Sequence, residues 1–365
     1  MPSSDEQPAV IHFSLGYRPE LDGLRALAVL AVMLFHGRAP FLRGGYIGVD
    51  LVFVLSGFLI TTILCTQLRR AGKVSLRDFY LRRALRLLPA LLLLLACYTL
   101  VTLLVAPAPR LLLLDALITL LYVANWARII DPMRPDFLGH TWSLAIEAQF
   151  YLLWPLLLLG LGRVFTPRRI LSLILGAALA ALTLRIALVQ AGASAFRVYH
   201  GLDTRADALL IGCALGFGLA NGLFRVELPR AWRVPLLAVS SLGLLAMAGL
   251  APWNGALMLT FGYSLIAALS ALLLLLCLGA PAGNLSRALR WTPLVWCGQR
   301  SYGLYLWHFP LMRLILLQTD SWLALTCGGV MLSLIAASLS YALVERPFLA
   351  LKAGPPALKL TGGRQ

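Results

Sequence analysis

The apolar residues of this chain fall into long continuous runs rather than an alternating pattern. The runs are centred near 24–41, 47–66, 84–106, 111–127, 143–162, 170–191, 205–221, 234–251, 256–280, 294–317 and 322–344. About 20 apolar residues in a helix cross the ~30 Å hydrocarbon layer of a bilayer. A helix is the form that satisfies its own backbone there. The pattern therefore predicts an all-α, polytopic membrane bundle. The cations between the runs decide how many of them cross. Arg69, Arg70, Lys73, Arg77, Arg82, Arg83 and Arg86 mark one loop as cytoplasmic under the positive-inside rule. Arg163, Arg168 and Arg169, then Arg225, Arg230 and Arg233, then Arg287 and Arg290 form three further clusters. All of them share that side only if the 111–127 run does not cross. Asp115, with Pro107 and Pro109 before it, makes that run a poor lipid-exposed span. The expectation is about ten transmembrane helices plus one re-entrant or outer-face helix. Residues 1–16 and 351–365 are then cytoplasmic tails around a membrane domain at 17–350.

Composition removes the competing classes. The chain has 365 residues, 60% hydrophobic and 13% charged. Soluble domains carry about 25% charged residues. The net charge of +16 does not point to nucleic acid, because the cations punctuate apolar runs instead of forming a basic domain. The six cysteines lie in or beside those runs without a close CxxC pair, and they read as small buried hydrophobes, not as metal ligands or disulfides. The first twenty residues show no signal-peptide pattern, so the first span should drive insertion.

Charges within the runs are costly, on the order of 2.5–3.5 kcal/mol at mid-bilayer, and each calls for a reason. On the first span, ten residues separate Arg25 from His36. Eleven steps of 100° bring them to within about 20° of one face, ~16 Å apart along the axis, and Asp22 lies near the same stripe. His36 can take a proton from an alcohol near neutral pH or carry an acyl group as a nucleophile. Asp50 follows Gly48-Val49 near the outer end of the next run, placed to pair with His36 or to hold a polar ligand. Arg82, Arg83 and Arg86 occupy one side of a helix entering from the cytoplasm. They suit phosphate oxygens and equally suit topological anchoring. His140, Trp142, Ser143 and Glu147 lie together, with Ser143 and Glu147 at i,i+4, and resemble a lip for a sugar or alcohol. Arg205 and Asp207 read as a structural pair, and the 300–308 stretch, including His308, as aromatic packing at the interface.

In this order the motifs resemble acyltransferase family 3, the integral-membrane O-acyltransferases of bacterial carbohydrates. They are Arg25 with His36, Gly48-Val49-Asp50 before Ser56-Gly57-Phe58, Arg82-Arg83-x-x-Arg86-x-x-Pro89, the 140–151 and 301–308 stretches, and Glu345-Arg346-Pro347. The resemblance implies a bundle of ten spans in a bacterial inner membrane, with both termini cytoplasmic. It implies an acyl-CoA co-substrate, usually acetyl-CoA, no bound cofactor or metal, and transfer to a glycan hydroxyl. His36 would be catalytic, Arg25 the essential basic residue of that helix, and Glu147 the acidic residue of the acceptor-side motif. Arg82, Arg83 and Arg86 would meet the CoA phosphates. Asp50, His140, Trp142 and Ser143 would hold the acceptor. Many relatives carry two adjacent glutamates where this chain has Glu147-Ala148. The soluble esterase-like domain of some relatives is absent, so a stand-alone form is expected. The rival class is a permease or flippase for a glycan or lipid intermediate.

Overall fold

The computed structural model describes residues 13, 15–105 and 109–351. Pro107, most of the N-terminal tail and residues 352–365 lie outside the described residues. Every regular element among the described residues is helical. The helices are Pro19–His36 (α1), Gly48–Ala71 (α2), Leu76–Val105 (α3), Pro109–Leu120 (α4), Ala124–Ile130 (α5), Trp142–Val164 (α6), Pro167–Gln190 (α7) and Ala195–His200 (α8). They continue as Leu202–Ala220 (α9), Arg230–Leu250 (α10), Tyr263–Gly279 (α11), Asn284–Leu289 (α12), Thr292–Gln299 (α13), Ser301–Leu316 (α14), Trp322–Ser340 (α15) and Arg346–Leu351 (α16).

Seven helices are long and apolar enough to cross a membrane: α2, α3, α6, α7, α10, α11 and α15, the last prolonged through a wider turn into α16. Three further helices carry the site or flank it. α1 is of spanning length but holds Glu20, Asp22 and Arg25. α9 holds Asp203, Arg205 and Asp207, and α14 has 16 residues. The 294–317 run is thus two helices, broken at Arg300. The 111–127 run is not one helix of spanning length. α4 has 12 residues, or ~18 Å, against the ~30 Å of hydrocarbon. Asp115 is buried and accepts from the Asp136 backbone N–H at 3.3 Å, with Arg134 3.7 Å away. A carboxylate satisfied by a loop fixes α4 against protein.

Small residues let the central helices meet. A Cβ at Gly57 would strike the Leu209 carbonyl, one at Gly212 the Val54 carbonyl, and one at Gly48 the Ala28 carbonyl. These seams press α2 against α9 on one side and α1 on the other, in the manner of membrane helix contacts. α2 is largely enclosed, whereas Val234, Val239, Leu242 and Leu245 of α10 face outward. The cation clusters gather at one end. Arg69 at the end of α2 donates to Ala220 O at the end of α9, and Arg290 grips Glu20 at the start of α1 at 2.9 Å. This is called the arginine end below, and the other the histidine end.

A second set of charges is fully enclosed. Arg205 pairs with Asp50 at 2.6 Å, and Arg185 pairs with Asp207 at 2.9 Å. Arg205 and Asp207 are therefore not partners of each other. Their spacing of two on α9 turns them apart, and each is met by a neighbouring helix.

Candidate active site

Two cavities lie one above the other inside the bundle. The first, of about 830 Å³ counted out to its mouth, is lined by Arg25, Arg83, Arg86, Ser56, Glu147 and Tyr151 among others. The second, of about 670 Å³, is lined by His36, Arg128, His140, Trp142, Tyr199 and His200 among others. Val32, Val49 and Tyr305 line both. α1 connects them directly, with Arg25 in one chamber and His36 in the other.

The arginine chamber is built by α1, α2, α3, α6 and α14. Arg25 has a carboxylate partner, Asp22 at 3.1 Å. Arg83 and Arg86 form no ion pair among the described residues. Arg83 lies 5.3 Å from the Tyr151 ring centre. Ser56 Oγ donates to Glu147 Oε1 at 2.5 Å, and Tyr151 OH donates to Ser56 Oγ at 3.0 Å. Arg82 does not line the chamber; its neighbour Arg83 and the next-turn Arg86 do.

The histidine chamber is built by α1, α2, α5, α6, α8 and α14. His36 Nδ1 and His308 Nε2 are 3.1 Å apart. His308 Nδ1 lies 2.7 Å from the Tyr305 carbonyl, which can only accept. The proton of neutral His308 is therefore on Nδ1, its Nε2 accepts, and His36 Nδ1 donates to it. That relay leaves the Nε2 lone pair of His36 available. Phe309 meets the His36 ring edge-on at 4.9 Å between centres and stacks on His140 at 5.1 Å. His140 Nε2 bonds the Leu306 carbonyl at 3.1 Å, while its Nδ1 is buried without a partner. Arg128 Nε donates to His200 Nε2 at 3.1 Å, which keeps a fixed cation beside the chamber.

The sequence-derived candidates are thus divided. His36, His140 and Trp142 share the histidine chamber, and Arg25, Arg83, Arg86, Ser143 and Glu147 share the arginine chamber. The lip read from the 140–147 stretch is split by a helix that runs from one chamber to the next. Glu147 lies two turns of α6 from His140 and stands with the arginines. Asp50 lines neither chamber and pairs with Arg205, not with His36. The 300–308 stretch is not interfacial aromatic packing at its end, because His308 is buried and bonded to His36. Ser56, Arg128, His200 and Tyr305 are further lining residues that residue spacing did not single out. One signal was available. With 111–127 not crossing, four of the five histidines in the chain fall at the same end of the predicted bundle.

Residues 18–344 match the acyltransferase domain model of acyltransferase family 3, and the chain belongs to that family of multi-pass membrane acyltransferases. The Peptidoglycan O-acetyltransferase OatA of Listeria monocytogenes is 35% identical over 351 residues, covering 92% of this chain and 56% of that protein. The O-acetyltransferase OatA of Staphylococcus aureus strain NCTC 8325 is 33% identical over 357 residues, covering 92% and 58%. The Putative peptidoglycan O-acetyltransferase YrhL of Bacillus subtilis is 35% identical over 352 residues, covering 91% and 55%. The chain spans a little over half the length of these curated relatives. No solved structure matches it.

Proposed function

We propose that the protein transfers an acetyl group from cytoplasmic acetyl-CoA to a hydroxyl of an envelope glycan, peptidoglycan being the class its relatives' names indicate. The observation that carries this reading is the stacking of two unlike chambers along α1. One holds Arg83 and Arg86, which form no ion pair among the described residues, and the other holds an imidazole with a free lone pair. Arginine forks suit the phosphates of the donor. Glu147, Ser56 and Tyr151 offer acceptors and donors to the amides of a pantetheine arm. The gathering of the cation clusters at the arginine end supports its being cytoplasmic. Trp142, Tyr199, Phe196 and Trp253 supply apolar faces to a sugar ring, while Arg128 and His140 supply its hydroxyls with partners.

In this reading the acceptor hydroxyl gives its proton to His36 Nε2 as its oxygen attacks the thioester carbonyl. The new C–O bond forms and the C–S bond breaks. The departing thiolate takes the proton from the His36 imidazolium, which returns His36 to its neutral form. His308 holds the ring in the tautomer the step needs, and general-base help of this kind is typically worth about 10²–10⁴-fold. The test is reconstitution of the full chain in liposomes with labelled acetyl-CoA inside and a glycan oligosaccharide outside. Labelled ester on the oligosaccharide, lost with His36→Ala, is the expected result. Movement of oligosaccharide across the bilayer without any acyl donor, and no ester, would establish the permease instead.

A further inference from the structure

The two chambers share three lining residues, Val32 on α1, Val49 on α2 and Tyr305 on α14. A group passing from the arginines to His36 must pass between these side chains. Each of the three is held stiffly. Val32 and Val49 are buried and β-branched, and such side chains in a helix have one strongly preferred rotamer. The two segments cannot come closer, because Gly45, just before α2, and Gly48 at its start already lie against the carbonyls of Ala31 and Ala28. Tyr305 is pinned from two directions: its hydroxyl donates to the His140 carbonyl at 2.9 Å and lies 2.6 Å from Ser143 Oγ, whose hydroxyl donates to it. The boundary between the chambers is therefore lined by stiff side chains.

We propose that Val32, Val49 and Tyr305 form a size gate by bounding the space in which the acyl group lies as its thioester meets His36, holding acetyl and leaving no room for longer chains. This deepens the acyl-CoA reading above and rests on it. A rigid apolar pocket discriminates per methylene by about 10–200-fold. The donor's own arm enters the arginine chamber whatever its acyl chain, so discrimination falls on transfer and not on donor binding.

The experiment uses the full chain in liposomes with acetyl-, propionyl- and butyryl-CoA in turn, reading acyl ester formed per folded protein and, separately, acyl-CoA binding. Wild type is expected to bind all three donors within about 3-fold while losing transfer by ~10-fold or more per added methylene. Val32→Ala and Val49→Ala are expected to raise the butyryl-to-acetyl ratio by ~10-fold or more. Should an alanine variant not fold, Val49→Ile narrows the same opening and is expected to lower the propionyl-to-acetyl ratio. A wild type that transfers butyryl as fast as acetyl overturns the gate, as do ratios within two-fold of wild type in the variants. Absence of any ester from wild type with all three donors removes the acyl-CoA reading itself. That result differs from a failed gate, in which ester forms without regard to chain length.

Discussion

Arg185, Arg205, Asp50 and Asp207 are enclosed in the bundle as two opposite-charge pairs. His36, His140, Arg83 and Arg86 lie in the same bundle, line open space, and have no carboxylate partner among the described residues. Both sets would be costly in lipid, and the cost is answered differently. In the first set each charge is neutralised by protein, and Arg205 also lies 3.7 Å from the centre of the Tyr263 ring. In the second the charges and lone pairs are left for something that enters. A charged residue in an apolar run thus says only that a partner is required. Whether that partner is the protein or a substrate depends on what the neighbouring helices bring.

Substitutions should separate the two sets. His36→Ala should lower ester formation by about 10²–10⁴-fold while the detergent-solubilised protein keeps its melting temperature. Melting and rate measured on one preparation check both halves. Arg205→Met should do the reverse, costing about 3–5 kcal/mol by leaving Asp50 buried and unpaired. The Arg205→Met, Asp50→Leu double variant should recover most of that loss in a thermal melt. Arg83→Gln and Arg86→Gln should each weaken acyl-CoA binding by ~10-fold or more, as expected for loss of a charge-assisted contact. Titration calorimetry at two salt concentrations reads this effect. His308→Gln should lower kcat by about 10-fold with little change in KM for the donor, because it orients His36 without touching the phosphates. The smallest effect is expected at Arg82→Gln. Its donor affinity should stay within about 2-fold, since Arg82 does not line the chamber and a partly solvated charge contributes little.

What the chain disclosed on its own follows the range of the interactions. Arg25 and His36 sit on one helix, so a fixed rise and rotation places them together and the sequence suffices. The short α4 was legible from Asp115, because a carboxylate in an apolar run needs protein around it. Contacts between distant segments were not legible in that way. His308 meets His36 across 272 positions, and Asp50 meets Arg205 across 155. Nothing local in Ser301–His308 distinguishes a buried hydrogen-bonding histidine from one at the interface. Glu147 and His140, read together as one lip, line different chambers for a geometric reason. Adjacent residues on a helix that threads a wall open into different rooms, and sequence proximity does not record the wall.

α1 carries Arg25 and His36 on one unbroken rod. The spacing between the residue that α1 gives to one chamber and the residue it gives to the other is then a constant of the covalent chain, ~16 Å at 1.5 Å per residue, and does not change as the surrounding helices breathe. In the proposed reaction the donor would stay at the arginine end and the acceptor at the histidine end, and all that crosses would be the few atoms exchanged between them.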